Sequence, residues 1–198
     1  MTANEFTGNQ PLCQNRLKLC LRAVLAFLVT LALTSCAAGL PLGFMPPSDT
    51  QTIADVPFHA QEDYQCGPAS LAGVLNFLGD PATPDQIALA VYRPELRGSV
   101  SLDLALYPRN RGYSSRFWRG TVEDIIRNVD AGRPLVLMLD LGVGPVSTYH
   151  YLVAVGYAPQ GLIANTGRRK HALLPWADVL RTWERADNWT LLVESKTL

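Results

Sequence analysis

One cysteine and one histidine carry most of the chemical interest of this chain. Cys66 stands in Gln65-Cys66-Gly67-Pro68, directly ahead of Leu71, Val74, Leu75 and Leu78 at helical spacing. Proline suits the first turn of a helix, where its missing N–H is not needed. The pattern therefore predicts a helix that opens at Cys66 and stops at Gly79. A thiol at a helix N-terminus meets unpaired N–H groups and the positive end of the dipole. Both favour the thiolate, the reactive form, and the same N–H groups can receive a developing oxyanion. His150 opens the apolar run to Tyr157, just after the loop Gly142 to Thr148. A histidine where a loop enters a strand can act as base to a thiol. Asn165 closes the next apolar run, beyond the turn Pro159-Gln160-Gly161. If the two runs pair, Asn165 approaches the His150 end, where its side-chain oxygen could fix the imidazole tautomer.

By themselves these residues leave bland readings open. An isolated cysteine can be an inert core residue, a histidine on a strand can simply pack, and asparagine before Thr166-Gly167 can be a turn residue. The oxidising compartment inferred below tips the cysteine toward a function, since paired cysteines are the rule there.

The chain has 198 residues, and its 17 basic and 17 acidic side chains cancel. No basic patch stands out, so nucleic acid is not an expected partner. Three scattered histidines and one remaining cysteine offer no zinc-ligand spacing, and no cofactor is expected. His59 and His171 read as structural, and Trp118, Trp176, Trp183 and Trp189 as core or cleft wall. Arg168-Arg169-Lys170 reads as a solvated turn that could meet an acidic substrate group.

The first third has a different character. Arg16, Lys18 and Arg22 precede the apolar stretch Ala23 to Leu33, which is short for a bilayer span and reads as the core of an export signal. It ends in Leu33-Thr34-Ser35-Cys36, which resembles the lipobox of bacterial lipoproteins. That resemblance implies a signal peptide over residues 1–35 and a diacylated Cys36 that holds the protein to a membrane. Ala37, in place of an aspartate, favours the outer membrane facing the periplasm in a Gram-negative source. Cys13 and Cys20 leave with the signal, so Cys66 is the one free thiol. Residues 36–54, rich in glycine and proline, read as a lipidated tether, and 55–198 as one domain.

Within that domain a second helix opens at Thr83-Pro84-Asp85-Gln86 as a capping box, a third covers Leu102 to Arg109, and a fourth follows Thr121. Strands are expected at Leu135 to Leu139, His150 to Tyr157, Leu162 to Asn165 and Trp189 to Val193, with a short helix from Trp176 to Trp183. Helices first and antiparallel strands later read as α+β, the N-terminal helices packed on a mainly antiparallel sheet.

The stretch Gln61 to Ala72 around Gln65-Cys66-Gly67-Pro68-Ala69, with His150-Tyr151-Leu152-Val153-Ala154-Val155-Gly156-Tyr157 downstream, resembles the bacteriocin-processing peptidases, cysteine peptidase family thirty-nine. The resemblance covers most of Asp55 to Val193. It implies a papain-like fold and a thiol protease, in which Cys66 attacks the carbonyl, His150 serves as base and then acid, and a residue in the place of Asn165 orients His150. It also implies a glutamine ahead of the cysteine as oxyanion donor and a peptide or protein substrate; the domain itself is expected to be a monomer. Two positions depart from the family. Its orienting residue is usually aspartate, where this chain has Asn165; Asp140 is an alternative on another strand. Its glutamine often stands six residues before the cysteine, where this chain has Ala60, so Gln61 is the candidate. The same scaffold also hosts transpeptidation, amide hydrolysis and non-catalytic peptide binding, and these stay beside peptide-bond hydrolysis as alternatives.

Overall fold

The structure is a computed structural model that describes Arg22 and residues 39–60, 65–96 and 98–195. Of two compact units, Met1–Gly39 and Leu40–Leu198, the second carries the fold. Gln61 and Cys36 lie outside the described residues.

Its helices are α1 (Cys66–Phe77), α2 (Pro84–Val91), α3 (Ser101–Asn110), α4 (Val122–Asp130) and α5 (Trp176–Glu184). Its strands are β1 (Gln51–Thr52), β2 (Tyr92–Arg93), β3 (Gly98–Ser99), β4 (Ser114–Arg119), β5 (Leu135–Asp140), β6 (Tyr149–Ala158), β7 (Gly161–Thr166), β8 (Arg169–Pro175) and β9 (Trp189–Glu194). A seven-stranded antiparallel sheet runs β4-β9-β5-β6-β7-β8. β1 continues alongside β6 at Gly156 and Tyr157, beyond the end of β5 at Ala154. β2 and β3 form a separate small ribbon. The fold is α+β, as the order of apolar periods predicts.

α1 is the central helix because its sequence is small or apolar on nearly every side. Gly67 to Leu75 are all buried, against β6, α2 and α3. Gly73 permits the close approach: a Cβ there would come within 2.7 Å of the Pro57 carbonyl oxygen. α2 starts with the expected capping box, Thr83 and Gln86 each bonding the other's backbone N–H. Thr121 and Asp124 form a second box at α4. α5 packs on β5, β7 and β8 through the fully buried Trp176 and Trp183.

Three segments differ from the reading of the sequence. Ser114–Arg119, where the sequence reading places no strand, is strand β4, and Arg169–Pro175, expected to begin as a turn, is strand β8. Both are edge strands, and edges carry polar and charged residues that interrupt a hydrophobic alternation. The end of the presumed tether is also part of the packed domain. Phe44 meets the Trp176 ring at 5.8 Å, Ile53 is buried, and the Ile53 N–H donates to the Val155 carbonyl at 2.7 Å.

Candidate active site

Cys66 is the first residue of α1. The first intrahelical bond runs from Ala69 N–H to the Gln65 carbonyl, and Gln65 makes no side-chain cap. The N–H groups of the first turn are therefore free of helix partners, as at any helix start. The thiol lies against the N–H of Tyr151 on β6, with those of Gly67 and Cys66 beside it. Gly67 lets the helix end sit here: a Cβ at that position would come within 3.0 Å of Leu104 Cδ1 and 3.2 Å of Ser99 Cβ. Tyr151 closes the back of the site, its hydroxyl donating to the Ser99 carbonyl at 3.4 Å, and burial pushes its phenol well up.

The thiol thus reaches the main chain one residue from His150. The half-buried imidazole places Nε2 2.7 Å from Thr166 Oγ1. With Nε2–H donating to that hydroxyl, Nδ1 is the nitrogen left to accept a proton. Asn165, the residue singled out from the sequence, is engaged elsewhere. Its Oδ1 accepts the His171 N–H at 3.0 Å, which holds His171 in the left-handed region at a φ of 52°. Its Nδ2 is buried with no partner among the described residues. Thr166 is the residue that sequence reasoning missed.

A β-bulge decides between the two. Near the turn, Ala158 pairs with Gly161 and Gly156 with Ile163. The register then shifts between Ala154 and Gly156, so that Val153 pairs with Asn165. One extra residue on β6 exchanges which β7 side chains share a face with His150. Asn165 falls on the face of Val153, while Thr166, opposite Leu152, falls on the face of His150. The signal in the sequence is Gly156, a glycine inside an apolar strand. β1 crosses there so closely that a Cβ would lie 2.4 Å from the Gln51 carbonyl oxygen.

Asp140, the other candidate for orienting His150, stands opposite Tyr149, and Leu139 is the residue opposite His150. The Asp140 carboxylate accepts the N–H groups of Gly142 and Thr148, each at 2.9 Å, and Arg185 at 3.2 Å. The Thr148 N–H foremost holds its carboxyl below the usual range. Asp140 therefore closes the neck of the loop 141–148 that leads into β6. A groove of about 540 Å³ runs from His150 and Thr166 along β7 and β8 to α5.

Burial pushes the Cys66 thiol above its ordinary value of 9.0, against the smaller opposing pull of the surrounding N–H groups. Burial likewise lowers His150 from 6.5. The helix-terminus argument from sequence favours a thiolate; here desolvation outweighs it, and thiol and imidazole both rest neutral at pH 7. A neutral imidazole with a free Nδ1 is still a competent general base. Among the described residues no group of three or more His, Cys, Asp or Glu could hold a metal ion, and no helix is long and apolar enough to cross a membrane.

The same fold recurs in solved structures. A protein described as a C39-like peptidase from Bacillus anthracis superposes with a TM-score of 0.63 at 15% identity, over 76% of this chain and 100% of that one. A double-glycine motif protease from an AMS/PCAT transporter, solved in complex with the leader peptide, matches at 0.57 and 19%, over 73% and 95%. The peptidase domain of Streptococcus ComA, a bifunctional ABC transporter of a quorum-sensing pathway, matches at 0.55 and 17%, over 72% and 100%. At such identities the likeness is one of fold, that of the papain-like C39 peptidase domains. No curated protein sequence matches the chain. The sequence pattern of the Peptidase_C39 like family matches residues 53–189, a span that includes Cys66, His150, Asn165 and Thr166. The chain belongs to the Peptidase_C39 like family of peptidases.

Proposed function

We propose that this protein is an exported, lipid-anchored cysteine peptidase that cleaves peptide bonds through a thioester acyl-enzyme. The observation that carries the reading is the Cys66 thiol at the start of α1, set against β6 one residue from His150. In this reading His150 Nδ1 takes the thiol proton as Sγ bonds to the substrate carbonyl carbon. The carbonyl oxygen becomes an oxyanion received by N–H groups of the first turn of α1, with the Gln61 carboxamide as second donor. His150 returns the proton to the leaving amine, the C–N bond breaks, and a thioester remains on Cys66. Water, deprotonated by His150, attacks the thioester and releases the acid and the thiol. Thr166 keeps Nδ1 free by accepting from Nε2–H, the part given to Asn165 by the family resemblance. The leader peptide bound to the AMS/PCAT relative supports a peptide as the substrate.

The test is intact-mass spectrometry of the full-length protein, acid-quenched during incubation with a mixture of synthetic peptides. An acyl adduct on Cys66 with accumulating carboxylate product is expected; a protein that gives neither adduct nor product between pH 6 and 8 is no peptidase. Added amines distinguish hydrolysis from transpeptidation, since an amine acceptor would appear in the product. A second reading, a peptide-binding module without chemistry, draws on the neutral resting pair, which lacks the ion pair expected of an activated thiol. The anchor rests on Leu33-Thr34-Ser35-Cys36. Incorporation of labelled palmitate in a bacterial host should be lost in Cys36→Ser; label retained in that variant would end the lipoprotein reading.

A further inference from the structure

We propose that the groove between α5 and strands β6 to β8 takes the leaving side of the peptide and selects an apolar side chain followed by a carboxylate side chain. This rests on the peptidase reading. A base that returns a proton to the leaving amine must lie beside the residues that depart. His150 lines one end of the groove, so the departing segment runs into it.

The floor is apolar. Leu139, Leu152 and Leu174 line it, and Leu173 lines it while remaining 49% exposed. Exposed leucine in a concave surface of this size suits one large aliphatic side chain. The rim is cationic. Arg168, Arg169 and Arg181 line it against one carboxylate, Asp178, which pairs with Arg181 at 3.2 Å. Arg168 and Arg169 are exposed and have no carboxylate within ion-pair distance among the described residues. Both follow directly on Thr166 and Gly167, so the tautomer-fixing hydroxyl and the unpaired charge belong to one turn. A guanidinium presents a planar fork that matches a carboxylate.

The experiment uses full-length protein carrying Cys66→Ala, so that binding is read without turnover. Fluorescein-labelled Gly-Gly-Leu-Glu-Glu-amide, Gly-Gly-Leu-Lys-Lys-amide and Gly-Gly-Ser-Glu-Glu-amide are titrated by anisotropy. The Leu-Glu peptide should bind about fivefold tighter than the Leu-Lys peptide, the size expected of two solvent-exposed charge pairs, and the difference should shrink in high salt. Arg168→Glu with Arg169→Glu should reverse the order of Glu and Lys, and Leu173→Ser should erase the order of Leu and Ser. Arg168→Gln with Arg169→Gln gives the milder variant, expected to make Glu and Lys equal. Equal binding of Glu and Lys peptides by the parent protein, or a Glu preference that survives both arginine pairs, overturns the proposal. A preference for Ser over Leu does the same. Failure of the peptidase reading is distinct: the selective binding remains while the protein with Cys66 intact forms no acyl adduct.

Discussion

Cys66→Ala should abolish peptide cleavage, with kcat lowered on the order of 10⁴-fold or more, and leave the fold unchanged. Loss of a covalent nucleophile removes the step itself, and what survives comes from binding and oxyanion contacts alone. The fold should survive because Cys66 is a small, half-buried residue at a helix end with no disulfide partner. Near-ultraviolet circular dichroism and the melting curve at pH 7 should match the parent protein. A further difference appears at alkaline pH. The folded protein holds the thiol above its ordinary 9.0, so the unfolded chain gives up this proton first. The stability contributed by the protonated thiol is complete below pH 9.0 and is lost as pH rises through the folded value. Cys66→Ala should lack that part of the alkaline loss. A Cys66→Ala protein that still turns over would remove Cys66 from the mechanism.

His150→Ala should lower kcat by about 10²- to 10⁴-fold, the usual range for a lost general base. The pH profile gives the sharper test. Burial lowers His150 below 6.5, so activity should rise with pH at a midpoint under 6.5 and hold its plateau through neutrality. Stability follows the same group: neutral His150 contributes fully above pH 6.5, and the contribution is lost as pH falls through the folded value. Because thiol and imidazole rest neutral, Cys66 should alkylate more slowly than a free cysteine at pH 7, and His150→Ala should leave that rate nearly unchanged. Fast alkylation at pH 6 that disappears in His150→Ala would mean a resting ion pair and would overturn the neutral arrangement. Thr166→Val should cost about tenfold in kcat, since it frees the imidazole tautomer. Asn165→Ala removes the acceptor for the His171 N–H and should act through stability, about 1 kcal/mol.

The sequence legibly carries the elements whose residues are constrained on their own. α1 is readable because a helical apolar period meets Gly67-Pro68 at one end and Gly79 at the other, and α2 because Thr83 and Gln86 can each reach the other's backbone. β5 and β6 are readable because central strands bury both faces and show unbroken apolar runs. The proposed nucleophile and base follow from these, since each sits at the mouth of a readable element. The edge strands β4 and β8 are hidden by the charged residues that protect an edge from pairing.

Amino-acid sequence alone therefore determined the helix that presents Cys66, the strand that presents His150, and the family resemblance that joins them. Tertiary structure decided their electrostatic state and their third partner. Burial is a property of the packed whole, and only packing shows that desolvation outweighs the N–H groups around the thiol. The third partner depends on register: the shift between Ala154 and Gly156 sets Thr166, and not Asn165, beside the imidazole. A side-chain period of two means that one unpaired residue in a strand reverses its facing, and that residue falls beside Gly156, where β1, far away in sequence, crosses.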